Sequence, residues 1–257
     1  MKKIAFMLFM AGAFSGAAQT AFVSSGVITF ERSINSYAVT PLVMQAARKM
    51  KETEVAAFMQ RFRSREKQFQ TDDFNLYFDR TQSLYQPAVP EGKPPFYMPA
   101  AYKNRVYNNL EKKESIAEKQ VFEKLFYVKD SAMRIRWKIT EEVRDIAGFQ
   151  CRRANALVSD SVYVVAFYTD EILAQSGPES FTGLPGMILG VALPRLHITY
   201  FAKSVRATET SPAELKIPKP GKKNSPLSRK EFISVTAKSL GANRIMTSGW
   251  GKNFLYL

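Results

Sequence analysis

Short segments in which apolar and polar residues alternate with a period of two recur along this chain of 257 residues. The strictest is Met133–Thr140, where large apolar residues alternate with Arg, Lys and Thr; Phe74–Phe78 and Leu196–Phe201 show the same period. Successive side chains of a strand point to opposite faces of its sheet, so this pattern predicts antiparallel strands with one buried and one wet face. The predicted fold class is β-rich (α+β), built on a curved antiparallel sheet or partial barrel.

Other segments are predicted to join the same sheet. Gly26–Arg32 is expected to form the first strand. Phe149–Val158 and Val162–Tyr168, joined across residues 159–161, are expected to form a hairpin. Both alternating sets of Val162–Tyr168 are apolar, so this strand is placed centrally, with both faces covered.

Helical signals occur in two places. Ala, Met, Gln, Glu, Lys and Arg dominate Pro41–Lys67, which predicts a helix with a basic outer face, broken near Thr53. Ser228 and Glu231 match a capping box and Gly241 is a stop signal, so a short C-terminal helix is predicted between them. One or two helices are thus expected to pack on the sheet.

Clusters of proline and a change in composition divide the chain. Prolines exclude a helix interior or a central strand over residues 86–100, which are predicted to form a long surface loop. We expect a signal peptide at residues 1–18, a β-rich domain at 19–203, a Pro-rich basic linker at 204–226, and a basic extension with a short helix at 227–257.

The first residues have the three-part layout of a secretory signal peptide. Lys2 and Lys3 precede the uncharged apolar run Ile4–Phe14, and small residues follow, with cleavage expected near Ala18. The run is too short to span a bilayer and no cysteine follows it to accept a lipid. The mature protein is therefore expected to be soluble, exported, and located in the periplasm or at the outer-membrane periphery.

The positive charge is concentrated at the C-terminal end. The net charge of +14 falls to +12 without the signal peptide, and +8 of it lies from Lys203 onward. Export argues against a nucleic-acid partner, which leaves an anionic envelope component or an envelope protein as the expected partner, with a merely solvated basic tail as the alternative. The candidate contacts with an anionic partner are Lys216, Lys219, Lys222, Lys223, Arg229 and Lys230.

The scarcity of reactive residues excludes most catalytic chemistries. The chain has one His and one Cys, too few for most His-bearing triads, multi-His metal centres or disulfide scaffolds. His197 is predicted to be a structural residue on a strand, and Cys151 a small buried apolar residue. The acidic doublets Glu141–Glu142 and Asp170–Glu171 are predicted to be solvated. We predict no catalytic residue, metal or cofactor.

The segment that ends in Gly183–Gly186 carries a distinctive turn motif. Pro fixes its own φ, and the glycines permit turn geometries that other residues rarely adopt, so the loop is expected to be rigid. It either orients the following strand, Met187–Val191, or displays Phe181 and Leu184 to a partner. The candidate interaction residues are Phe181, Gly183, Leu184, Pro185 and Gly186.

At this motif the sequence resembles the GLPGLI family of exported bacterial proteins, since Gly183–Ile188 reads GLPGMI. The resemblance spans residues 26–203; Met187, Phe167 and Asp170 stand where the family pattern has Leu, Trp and Pro. It implies export and the limits of the domain, but no biochemical activity. The supporting motifs are GVITFE at 26–31, AYKN at 101–104, WKIT at 137–140, IAGFQC at 146–151 and FYTDEI at 167–172.

These observations favour a non-catalytic interaction or accessory module that docks on an envelope component. The alternative is a periplasmic carrier that holds an apolar or lipid-like ligand between the sheet and the helical region of residues 41–67. A hydrolase comes third, because it needs a cleft that gathers two carboxylates, or one acid with Cys151 or His197.

Overall fold

A computed structural model describes residues 22–48, 50–89, 101, 103–122, 124–158, 162–211, 214–221, 225–239 and 249–255. The predicted signal peptide, most of the 86–100 loop, Lys222, Lys223 and the Gly241 stop signal lie outside these residues.

The described chain forms one antiparallel sheet of 11 strands in the order β6-β5-β4-β3-β2-β1-β11-β10-β9-β8-β7. The sheet is curved without closing into a barrel, which confirms the predicted fold class. The strands are β1 (Gly26–Asn35), β2 (Phe69–Phe78), β3 (Gln82–Pro87), β4 (Arg105–Asn109), β5 (Glu114–Val121), β6 (Lys124–Ser131), β7 (Lys138–Ile146), β8 (Phe149–Val158), β9 (Val162–Thr169), β10 (Met187–Leu193) and β11 (Ile198–Ala207).

Two helices follow β1, as the sequence predicted. α1 (Ser36–Arg48) and α2 (Glu52–Arg63) are separated at the break expected near Thr53. Val55, Met59 and Phe62 bury one face of α2 in the core. At the other end of the chain, α3 (Arg229–Ser239) begins at the predicted capping box, and α4 (Gly249–Leu255) is a second helix that the sequence did not predict.

Residues 132–137, which we call the strap, correct the prediction of a strand over Met133–Thr140. The strap forms no strand, and β7 begins only at Lys138. The apolar side chains of Met133, Ile135 and Trp137 nevertheless pack against the core, whereas the basic residues between them are exposed. The alternation of apolar and basic residues therefore indicates an extended segment that buries one side, and does not indicate hydrogen-bonded pairing with a strand of the sheet.

The strap shows how strongly the sheet curves. It joins β6 to β7, which lie at opposite edges. Edge strands of a flat sheet of this size would be about 48 Å apart, at about 4.8 Å between neighbours. The few residues between Ser131 and Lys138 reach at most about 25 Å, so curvature must bring the two edges towards each other.

Alternate residues of the strands face two separate apolar clusters. The inner face carries the main core, which includes Phe30, Leu76 and Val164. The outer face carries a smaller cluster that includes Leu84 and Tyr107. The central strand β9 is buried at nearly every position, as predicted from its two apolar sets.

The C-terminal part of the chain packs on both faces. The predicted boundary at residues 203 and 204 falls inside β11. Leu215 then joins the outer cluster, and the Tyr127 hydroxyl donates a hydrogen bond of 3.0 Å to the Pro218 carbonyl. Leu227 forms a parallel bridge with the edge strand β6, and Phe232 of α3 packs in the inner core. This segment therefore wraps around the β6 edge from the outer to the inner face.

Candidate functional site

A row of exposed cations runs along the strap and ends at the first residue of β7. Arg134, Arg136 and Lys138 are exposed and occupy alternate positions. In extended chain, alternate residues are about 7 Å apart. The three cations form no ion pair with any carboxylate in the described part of the chain. We call them the basic stripe.

One end of the strap is fixed to the predicted interaction loop. The Trp137 indole Nε1 donates a hydrogen bond of 2.9 Å to the Thr182 carbonyl oxygen, and its ring lies beside Gly183. Gly183 and Pro185 are exposed next to this contact. The loop and the strap are therefore neighbours in the fold.

The loop itself is a packed corner. Phe181 and Leu184 are only 2% and 1% exposed, so neither side chain forms an exposed apolar surface. Gly186 has φ of 148°, and a Cβ there would overlap the Thr169 carbonyl. The contacts support the interpretation in which the motif orients β10, and they leave only Gly183 and Pro185 of the candidate residues accessible.

The other end of the strap meets the start of α3. The Arg229 backbone N–H donates to Asp130 Oδ2 at 2.9 Å, and its guanidinium to the Ser131 carbonyl at 3.4 Å. Burial lowers the Arg229 pKa, and Asp130 acts against that shift. Arg229 is thus held within the fold, whereas Lys230 beside it is exposed.

The structure groups only some of the predicted basic contacts. Lys230 lies close to the strap, through the contacts of Arg229 with Ser131. Lys216 and Lys219 are exposed near the outer cluster, where Leu215 is buried and Pro218 accepts the Tyr127 hydrogen bond. The described cations of the C-terminal region therefore lie along the wrapping segment rather than in one patch.

A second polar feature lies inside the protein and was not predicted from the sequence. Polar side chains lie on the inner face of six neighbouring strands, one of them at the residue that precedes its strand. Glu179 approaches these side chains from the loop before β10. Tyr200 and Asp72 each lie directly opposite Arg32 in the strand register. We call this set the polar row: Tyr200, Arg32, Asp72, Tyr85, Asn104, Lys119 and Glu179.

Arg32 is fully buried, and both terminal nitrogens of its guanidinium have partners, whereas Nε has none among the described residues. Its Nη2 forms an ion pair of 2.7 Å with Asp72, its Nη1 donates to the Ala101 carbonyl at 2.9 Å, and its guanidinium lies over the Phe74 ring. Burial disfavours the charge, but Tyr200 and Asp72 outweigh burial and raise the Arg32 pKa. The cation is therefore retained in the core.

Glu179 and Lys119 form the other half of the row. Burial raises the pKa of the Glu179 carboxyl, although Lys119 and Asn104 oppose the shift, and Asn104 Nδ2 donates to Glu179 Oε2 at 3.0 Å. Burial also lowers the pKa of the Lys119 amine to about 8. Glu179 has a positive φ of 52°, a conformation that costs about 1 kcal/mol or more and that clusters at functional sites.

Spaces of different size adjoin the row at Asp72 and at Lys119. Asp72 also lines a polar surface pocket of about 340 Å³, together with Glu31, Asp73 and Lys203. Beneath α3 and α4, Lys119 lines two narrow spaces of about 10 Å³ each, which Phe232 and Leu255 cover. Each is near the minimum volume that holds one water molecule.

The structure also locates the reactive residues considered from the sequence. His197 is exposed, with φ of 56°, at the end of the short 3-10 helix Pro194–Leu196, so its predicted place on a strand is wrong. Cys151 is buried as predicted, and burial raises the pKa of its thiol to about 12. Within the described ranges, no group of three or more His, Cys, Asp or Glu is arranged to hold a metal ion. No described helix is long and apolar enough to cross a membrane.

Sequence signals for the polar row existed but were weak. Arg32 occupies an inward position among Ile28, Phe30 and Ile34, and Lys119 lies between the inward residues Ala117 and Val121. A charged residue within an apolar set is the signal for a buried ion pair. The sequence alone does not identify every residue of the polar row, since Glu179 lies in an irregular segment without periodicity.

The fold and these sites define a curved antiparallel β-sheet protein with a basic strap and a buried polar row. A family model described as "Protein of unknown function (Porph_ging)" matches residues 155–190, which include the GLPGMI motif. No curated protein matches the chain in sequence.

Two solved structures of PNGF-II, in space groups P21 and C2, are similar in fold. Their TM-scores are 0.53 and 0.52, with 13% sequence identity in both cases and 84% of this chain covered. The chain spans about a third of the length of PNGF-II, since 33% and 32% of the two matched chains are covered. At this identity, the likeness concerns the fold alone.

Proposed function

We propose that the chain is an exported, non-catalytic member of the GLPGLI family that docks on an anionic component of the cell envelope. The basic stripe carries this proposal, because three exposed cations are held on one side of an anchored segment without a described carboxylate partner. A pre-ordered basic surface loses little entropy on binding and attracts anionic headgroups. Gly183 and Pro185 extend this surface at one end and Lys230 at the other.

Export is proposed from the first residues of the sequence. Lys2, Lys3 and the apolar run Ile4–Phe14 fit a signal peptide that is removed near Ala18. Mass spectrometry of the N-terminus after fractionation of the producing cells tests this, with a mature protein that begins near residue 19 as the expected result. An unprocessed chain in the cytoplasm would refute it.

Docking is tested with lipid vesicles. The purified mature protein is expected to sediment with vesicles that contain a phosphate-bearing anionic lipid, and to remain in the supernatant with zwitterionic vesicles. Replacement of Arg134, Arg136 and Lys138 by Gln is expected to reduce binding at least tenfold, since each Lys or Arg near such a surface contributes about 1 kcal/mol. Raising the salt concentration is expected to weaken binding of the unaltered protein.

A control variant removes the same charge elsewhere. Three exposed cations lie at or just after the end of α2: Arg61, Arg65 and Lys67. They are distant from the strap in sequence and belong to neither β6 nor β7. Their replacement by Gln is expected to retain most of the binding. Equal losses in both variants would show that net charge alone drives adsorption, and would overturn the docking proposal.

The carrier alternative has less support. It needs an enclosed apolar space between the sheet and the helices, but Val55, Met59 and Phe62 fill that side. The depression of about 550 Å³ along α2 lies at the surface and includes Glu52, Gln60 and Arg63 in its lining.

A further inference from the structure

Four buried polar atoms of the polar row are without a hydrogen-bond partner among the described residues: Arg32 Nε, Tyr85 Oη, Glu179 Oε1 and Tyr200 Oη. Among them, Glu179 Oε1 and Tyr85 Oη belong to side chains that interact with each other and are completely buried. Buried polar atoms in folded proteins nearly always have a partner, which is often an ordered water or a ligand. These two atoms therefore require an explanation.

The two atoms belong to one neighbourhood. Glu179 is the largest electrostatic influence on Tyr85 after burial, and together they raise the pKa of the Tyr85 hydroxyl. Glu179 also interacts with Tyr200 and Lys119. The Glu179 carboxyl and the Tyr85 hydroxyl are therefore close enough to interact electrostatically.

The fold holds these groups in place from several directions. Asn104 fixes the other oxygen of Glu179, and the Tyr85 ring stacks on Phe74 with centroids 4.9 Å apart. Ser83 and Ser176 share a hydrogen bond of 2.7 Å, which fastens the loop of Glu179 to the strand of Tyr85. Together with the positive φ of Glu179, these contacts describe a pre-formed arrangement.

We propose that Glu179 and Tyr85 form an internal binding site for a hydroxyl group. A hydroxyl donates to Glu179 Oε1 and accepts from the Tyr85 hydroxyl, or exchanges these roles when Glu179 is protonated. The occupant is either an ordered water or the hydroxyl of a small organic molecule. The narrow spaces beneath α3 and α4 reach Asn104 and Lys119, which both interact with Glu179.

The sign of a stability change tests this proposal. If the Tyr85 hydroxyl has a bound partner, Tyr85→Phe lowers the melting temperature by a few degrees. If the hydroxyl is an unpaired buried group, its removal relieves a desolvation penalty, so the melting temperature rises or stays constant. That second result overturns the proposal.

Further variants keep the test interpretable. Tyr107→Phe removes a hydroxyl whose partner is known, since Tyr107 Oη donates to Gln82 Oε1 at 2.8 Å, and it calibrates the expected fall. If Glu179→Gln folds, the change that it makes to the melting temperature is expected to be non-additive with that of Tyr85→Phe, because both side chains contact the same bound molecule.

The two sources of the hydroxyl are separated by native mass spectrometry and crystallography. A retained organic molecule raises the native mass above that of the chain and is recovered after denaturation. An ordered water leaves the mass unchanged and gives an isolated density peak within hydrogen-bond distance of Glu179 Oε1 and Tyr85 Oη. Absence of density between these atoms, with no retained molecule, refutes the site.

Discussion

Asp72 and Arg32 lie opposite each other on β2 and β1 and form an ion pair of 2.7 Å, although the Arg32 side chain is fully buried. Asp72→Asn is expected to lower the free energy of unfolding by about 3 kcal/mol or more, because it leaves a buried cation without its counter-charge. Chemical denaturation at neutral pH measures this change.

The neighbouring residue provides a control on the other face. Asp73 forms an ion pair of 3.0 Å with Lys203, but both side chains are exposed. Asp73→Asn is expected to leave the melting temperature nearly unchanged, because solvent and salt screen exposed pairs. Similar losses in the two variants would contradict the structural distinction between them.

Gly186 is expected to tolerate no side chain. Gly186→Ala places a Cβ against the Thr169 carbonyl, at a φ of 148° that side chains rarely adopt. Thermal unfolding and soluble yield are expected to fall sharply. The matched variant Gly148→Ala has φ of 84° but open space around its Cβ, so it is expected to cost only about 1–2 kcal/mol of backbone strain. Equal effects would show that conformation, rather than the overlap, controls both sites.

Leu184→Asp tests whether the loop is a corner. The side chain is 1% exposed, so the variant buries a charge and is expected to be unfolded or insoluble. Pro185→Asp changes the exposed neighbour and is expected to fold. Circular dichroism and size-exclusion chromatography compare the two proteins. A folded Leu184→Asp protein would mean that this corner is accessible to a partner.

The Lys119 amine is expected to make stability depend on pH. Its pKa in the folded protein, about 8, is below the unfolded value, so folding favours the neutral amine. Its contribution to stability is therefore lost as pH falls through about 8 and is restored as pH rises towards about 10.4. Relative to Lys119→Met, the unaltered protein is expected to gain up to about 3 kcal/mol between pH 7 and 10.

Denaturant titrations across this pH range supply the measurement. The Lys216→Met variant, which removes an exposed lysine, serves as the control. A constant difference for Lys119→Met would mean that the folded protein does not perturb this amine.

The sequence predicted those strands whose inward positions are mostly apolar. β9 and the capping box of α3 follow local patterns, and both were located correctly. β3, β4, β5 and β6 were not predicted. In β5 the inward positions include Ser115 and Lys119, so the apolar period that identifies a strand is interrupted.

The strap shows the opposite failure. Met133, Ile135 and Trp137 give a clear period of two, because an extended segment on a core buries alternate side chains whether or not it pairs with a strand. Whether such a segment pairs with a strand depends on the curvature of distant parts of the sheet, which no local sequence pattern encodes. The basic stripe was therefore visible as a wet basic face in the sequence, but its link to the Thr182 carbonyl was not.

The two edges of the sheet are terminated by different means. Leu227 satisfies backbone groups of Tyr127 and Lys129 on β6, whereas β7 carries charged side chains and an irregular register between Ile139 and Val143. Both devices hinder the addition of a further strand from another molecule. Copies of this protein at high concentration are thus protected against edge-to-edge aggregation, which allows crowded molecules to remain separate.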